Sequence, residues 1–240
     1  MQRRTLLMLA GLWPLGAAAG TPLPLVYPRH QALDDPQQAY VTALLQQALE
    51  RSGQAYALRR SALRMVQTRA MQEIATASGS VDVVWAMTSR ARETQLLPVR
   101  IPIDRGLIGW RVALIQARQP DLLRGVRSIA ALARLSAGQM RDWPDAAILL
   151  ALDAHLVIRY PAALYFFVGK HRPELAGHIE TGLEAMLADG SFTQLFRRHF
   201  GRIEAGLKLS QRHVLDLANP DLPEETPLAR KALWYRPKLY

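Results

Sequence analysis

The apolar run from Val81 to Met87, VDVVWAM, ends in Thr88-Ser89-Arg90-Ala91-Arg92-Glu93. Two hydroxyls and two arginines in so short a stretch are suited to holding a carboxylate. A planar guanidinium gives a carboxylate two parallel hydrogen bonds, and a neighbouring hydroxyl can donate or accept beside them. The loop at the carboxyl end of a parallel strand is also where α/β sheets bind ligands. Arg92 and Arg90 are the candidate clasps, Thr88 and Ser89 are the hydroxyl contributors, and Trp85 or Trp110 supplies an apolar wall. Arg90 is the competing cation, and an ion pair of Arg92 with Glu93 or Asp104 is the purely structural use of the same side chain.

Other chemistries find little support. His30, His155, His171, His178, His199 and His213 lack the paired helical spacing with a glutamate that marks a zinc site, and the chain has no cysteine. Asp34 and Asp35 stand beside a helix start, where carboxylates favour the positive end of the dipole. Asp145 follows Pro144 as a helix cap, and Asp142 and Asp153 read as loop residues. No nucleophile elbow, P-loop or dinucleotide glycine motif is present. The expectation is a protein without metal or cofactor that is not an enzyme.

The formal charge of +10 raises the question of nucleic acid, anionic membrane or acidic solutes. The arginines are spread singly or in pairs, Arg59-Arg60 and Arg197-Arg198 being the densest, with no aromatic-interleaved motif. That pattern predicts a solvated basic surface and no nucleic-acid partner.

The amino terminus has the pattern of a secretion signal. Arg3 and Arg4 precede an apolar run from Leu6 to Leu15 and then Ala17, Ala18 and Ala19, so residues 1–19 are expected to be cleaved by the general route. The run is shorter than the roughly twenty residues of a membrane-spanning helix, and the mature chain is expected in the periplasm. A secreted chain without disulfides depends on its hydrophobic core, and about 220 residues suffice for one large domain or two small lobes.

The elements that position the turn follow. Leu23 to Tyr27 reads as a strand, Asp35-Pro36-x-Gln38 starts a helix with its stripe at Val41, Leu44, Leu45, Ala48 and Leu49, and Gly53 ends it. A strand over Tyr56 to Arg60, a helix over Gln67 to Ala77 and the strand at Val81 to Met87 complete the signature of a parallel α/β sheet. Leu107 to Ile115 is predicted as a further strand and a hinge. Short units follow: a helix capped by Ser128, a helix over Ala146 to Leu150 and a strand over His155 to Tyr160.

Leu164 to Val168 suits a strand buried on both faces. Pro173 then opens a helix with its stripe at Leu175, Ile179, Leu183, Met186 and Leu187, and Gly190 supplies a left-handed stop. Ser191 caps a last helix bearing Phe192, Leu195, Phe196 and Phe200, and Gly201 is expected to end it. The chain beyond is polar, with a strand near Val214 to Leu217 and a loop through Asn219, Pro220, Pro223 and Pro227.

The segment from Ala163 to Gly201, with Thr88 to Ile103 and the order of elements, resembles the family 3 extracellular solute-binding proteins, periplasmic receptors that hand amino acids and similar polar solutes to ABC importers. The resemblance implies an α/β, type II periplasmic-binding-protein-like fold of two lobes, with lobe 1 from residues 22–112 plus 164–240. Gly79 and Asp82 match the family's strand start, and Arg92 matches its carboxylate-clasping arginine. The resemblance further implies a small carboxylate-bearing solute, an ABC permease or membrane sensor as partner, and a monomer. The chain departs from the pattern in its second lobe, residues 113–163, which is truncated and lacks the position that would hold an ammonium group. The alternative reading is a degenerate module that senses or binds proteins in the periplasm without closing on a ligand.

Overall fold

The computed structural model describes residues 21–29, 36–112, 118–119, 121–135, 156–207 and 212–236. The signal segment, the helix expected over Ala146 to Leu150, and Asp34, Asp35, Asp142, Asp145 and Asp153 lie outside them.

The chain forms β1 (Leu23–Arg29), α1 (Pro36–Glu50), β2 (Tyr56–Arg64), α2 (Gln67–Ala75), β3 (Val83–Met87), α3 (Arg90–Gln95), β4 (Leu96–Val99) and β5 (Trp110–Val112). It continues through α4 (Ile129–Leu132), β6 (Leu156–Arg159), β7 (Leu164–Gly169), α5 (Pro173–Ala188), α6 (Ser191–Leu207) and β8 (His213–Asp216). The apolar run of β7 becomes the middle of a three-stranded sheet in the order β3-β7-β4, with Val83 opposite Val168 and Leu96 opposite Gly169. All six residues of β7 are buried. Period-two alternation divides them between two cores. Leu164, Phe166 and Val168 join Val83 and Trp85 beneath α1, α5 and α6, whereas Tyr165 and Phe167 join Val84, Ala86 and the α2 residues Ala70, Met71 and Ile74.

β1 and β2 are parallel, as expected, with Leu23 opposite Tyr56. Asp82 attaches them to the larger sheet. Its N–H donates to the Val26 carbonyl (2.8 Å), and its carboxylate accepts from the Val26 N–H (2.7 Å) and from Arg172 Nη1 (2.9 Å). The strands thus run in the order β2-β1-β3-β7-β4. The parallel signature is found between β1 and β2 and does not extend to β7. β7 is antiparallel to both neighbours, because it starts beside the residue where β3 ends, the Thr88 N–H donating to the Ala163 carbonyl (2.8 Å).

On the helical side, Tyr40, Val41, Leu44, Leu45 and Ala48 of α1 meet Leu175, Ile179, Leu183 and Met186 of α5. Burial pushes the pKa of the Tyr40 hydroxyl up, so that it stays a donor, and it bonds the Ile103 carbonyl at 2.5 Å. Gly190 takes the left-handed conformation (φ 79°) that stops α5. Two details of the next helix differ from expectation. The Asp189 carboxylate accepts from the Ser191 N–H (2.8 Å), so the capping carboxylate comes from the preceding turn. The helix also passes through Gly201 to Leu207, a lone glycine costing only about 1 kcal/mol where helix-compatible residues continue the run.

A second three-stranded sheet, β5-β6-β8, pairs Trp110 with Arg159 and Arg159 with Asp216. The strand expected from Leu107 instead begins at Trp110, after a 3-10 turn over Leu107–Gly109. The buried Asp104 carboxylate causes the turn by accepting from the N–H groups of Gly106 (3.0 Å) and Ile108 (2.8 Å). Beyond β8 the chain crosses back over the first sheet, sinking Leu233 into the core and donating from the Tyr235 N–H to the Arg105 carbonyl (2.6 Å).

Two stability predictions follow from this packing. A Cβ on Gly182 would stand 1.8 Å from the Ala48 carbonyl oxygen. Gly182→Ala therefore forces α1 and α5 apart, and the clash outweighs the gain in helix propensity. A net loss of about 1–3 kcal/mol is expected in chemical denaturation, and an unchanged or raised midpoint would contradict the helix contact. Burial also pushes the Asp104 carboxyl up to about 6, against the opposing pull of the Ile108 and Gly106 N–H groups. The folded chain holds this proton more tightly than the unfolded chain, so the contribution is full below about pH 4 and is lost as pH rises through about 6. The melting temperature is expected to rise from pH 7 to pH 5 by the equivalent of about 1 kcal/mol, and Asp104→Asn should flatten that rise.

Candidate ligand-binding site at the end of β3

β3 delivers Met87 to the edge of the sheet, and Thr88 and Ser89 turn the chain into α3. Both hydroxyl residues are buried. Thr88 Oγ1 donates to Glu93 Oε1 (2.5 Å), and Glu93 Oε2 receives Arg100 Nη2 at 2.6 Å. Ser89 has extended backbone (φ −155°, ψ 159°) and its Oγ accepts from the Arg92 N–H at 3.3 Å, which makes it the helix cap. The two hydroxyls expected to face a solute therefore also fix the shape of the turn.

Arg92 is half-buried with its guanidinium directed back to the sheet. Nη1 donates to the Met87 carbonyl (2.5 Å) and Nη2 to Gln67 Oε1 (3.2 Å), while Gln67 Nε2 donates to the Trp85 carbonyl (3.2 Å). Two of its five N–H groups are thus spent on the chain itself. Burial lowers its pKa, opposed by the negative charge of Asp221. The Arg92 ion pairs allowed by the sequence are not the ones formed, since Glu93 serves Thr88 and Arg100 and Asp104 serves backbone N–H groups.

Arg90 is the exposed member of the pair. Its N–H donates to the Asp221 carbonyl (3.1 Å), and its guanidinium stands 4.0 Å from Glu224. Arg90, Glu93, Arg100, Glu224 and Glu225 are among the residues lining an open depression of about 340 Å³. The tryptophans lie elsewhere. Trp85 is in the helical-side core, 6.2 Å from the Tyr27 ring, and Trp110 packs edge-on to Tyr235 at 5.7 Å with the Arg159 guanidinium 5.2 Å from its ring. Thr88, Ser89 and Arg92 are thus brought together at one turn, with Trp85 behind it in the sheet and Trp110 on β5. Gln67, Arg100 and the acids of residues 221–225 were not singled out in the sequence. Only the alternation of acids with prolines in NPDLPEETP hinted at the last of these.

The Met87-Arg92-Gln67 relay makes its own prediction. Arg92→Met strands the Gln67 amide oxygen and is expected to cost about 1–3 kcal/mol in urea unfolding. Adding Gln67→Met should cost little more, because the two side chains act as a unit. Strictly additive losses would mean that the relay is not an energetic unit.

No protein-family model matches the chain, and no curated protein matches its sequence. Solved structures do match its fold. A Streptococcus mutans structure, from work on glutathione import via GshT and the cystine ABC importer TcyBC, has a TM-score of 0.54 at 9% identity, over 75% of this chain and 96% of that one. A putative L-cystine ABC transporter from Listeria monocytogenes has a TM-score of 0.50 at 11% identity, over 75% of this chain and 96% of that one. This likeness shows the fold: the chain has the α/β fold of the periplasmic binding proteins, shared with these two structures.

Proposed function

We propose that this protein is a periplasmic solute receptor that takes a small carboxylate-bearing solute at the β3–α3 turn and presents it to an ABC permease. The observation that carries this reading is the pairing of an exposed Arg90 with a half-buried, desolvated Arg92 where β3 ends. A desolvated guanidinium gains more from a carboxylate than an exposed one. The Ser89 cap fixes the Arg92 backbone at the start of α3, and Thr88 holds Glu93 beside it. L-cystine and glutathione, named for the two proteins of like fold, both carry carboxylates. The receptor acts as a monomer, exported by its amino-terminal signal, and performs no catalysis.

A second reading, a sensory or protein-interaction module that keeps the first lobe without closing on a solute, is favoured by the short connection of residues 113–155 between β5 and β6. Titration calorimetry of the mature chain with L-cystine, glutathione and a panel of amino acids and organic acids separates the two. The receptor reading expects a dissociation constant in the micromolar range, about −8 kcal/mol, weakened about tenfold or more by Arg90→Gln. No heat with any of these solutes from a folded sample, together with capture of a membrane partner, would replace it by the second reading.

A further inference from the structure

The segment after β8 is fastened at both ends and carries exposed carboxylates between. Asn219 donates from Nδ2 to the Pro161 carbonyl (2.9 Å) and accepts from the Asp221 N–H (3.1 Å), which fixes the entry. Pro223 and Thr226 are buried, Trp234 Nε1 donates to the Pro227 carbonyl (2.9 Å), and Arg230 grips Glu184 of α5 with both Nη atoms. Between these anchors three carboxylates cross the β3–α3 turn. Asp221 accepts from the Arg90 N–H through its carbonyl, Glu224 stands 4.0 Å from Arg90, and Glu225 stands 3.9 Å from Arg100. Glu224 and Glu225 are 88% and 67% exposed. Ion pairs that long and that exposed hold little in water.

An acidic strap over an arginine cluster offers those cations the group that a carboxylate solute would offer. We propose that residues 219–226 form a built-in lid that competes with an anionic solute for Arg90 and Arg100, the solute entering as Glu224 and Glu225 swing away while Asn219 and the anchors from Thr226 onward hold. The inference rests on the receptor reading and adds its regulation: affinity is set by the fraction of time the strap is open. A strap closed about two-thirds of the time lowers the apparent affinity about threefold.

The test uses the mature chain and its doubly neutralised form carrying E224Q and E225Q, both exposed positions. Calorimetry with glutathione is expected to give about threefold tighter binding for the double variant. In the wild-type chain at saturating glutathione, the Arg90 amide, which donates to Asp221, should exchange its hydrogen faster. Equal affinity for the two chains, or unchanged exchange at Arg90, overturns the lid while leaving the receptor reading intact. If neither chain binds glutathione, L-cystine or the wider panel, the receptor reading falls and phenylglyoxal decides the lid. Faster modification of Arg90 and Arg100 in the double variant, read by peptide mass, upholds the strap as a cover, and equal rates overturn it.

Discussion

The structure depends on β7, a strand that shows no side chain to water on either face. It separates β3 from β4, divides its side chains between two cores, and is the element on which α1, α5 and α6 on one side and α2 on the other are assembled. Each of its large apolar side chains contributes on the order of 1.5–3 kcal/mol by leaving water. Its direction matters as much as its burial. Entering antiparallel to β3, it brings Ala163 against Thr88 and so fixes where the β3–α3 turn begins. Asp82 does the corresponding work at the other end of β3, where one carboxylate joins β1 and α5 to the same strand.

The turn inherits this rigidity. Thr88, Glu93 and Arg100 form one chain of polar contacts, and Gln67, Arg92 and the β3 carbonyls form another. Both tie α3 to the sheet. Arg92 occupies an intermediate state: buried enough that its charge is disfavoured, yet held by neutral acceptors together with the distant charge of Asp221. On the proposed reading, such a group would meet a carboxylate at small reorganisation cost, because the Met87 carbonyl and Gln67 keep the guanidinium in place.

What the sequence disclosed was local. The two-face burial of Leu164 to Val168, the α1 and α5 stripes and the glycine stop at Gly190 each rest on periodicity or on one backbone angle, and each is found in the structure. An apolar run carries no direction, so the antiparallel entry of β7 was hidden. The shortness of β5 depends on a carboxylate that captures the N–H groups of Gly106 and Ile108, an outcome decided by burial. Arg92 was nominated through the family resemblance, whereas its partner Gln67 lies 25 residues away and cannot be found by spacing. The strap was least legible. Leu233, Trp234 and Tyr235 anchor it with consecutive residues that have no helical or strand period, in a tract whose prolines and acids read as loop.

The central claim is that the β3–α3 turn is where this chain meets its solute. Amide chemical-shift mapping of the mature, isotope-labelled chain during a glutathione titration tests it most directly. The account predicts saturable shifts concentrated in residues 88–95 and 219–226, with the α5–α6 face unmoved. Saturable shifts confined to another surface, with the β3–α3 turn silent, would contradict it.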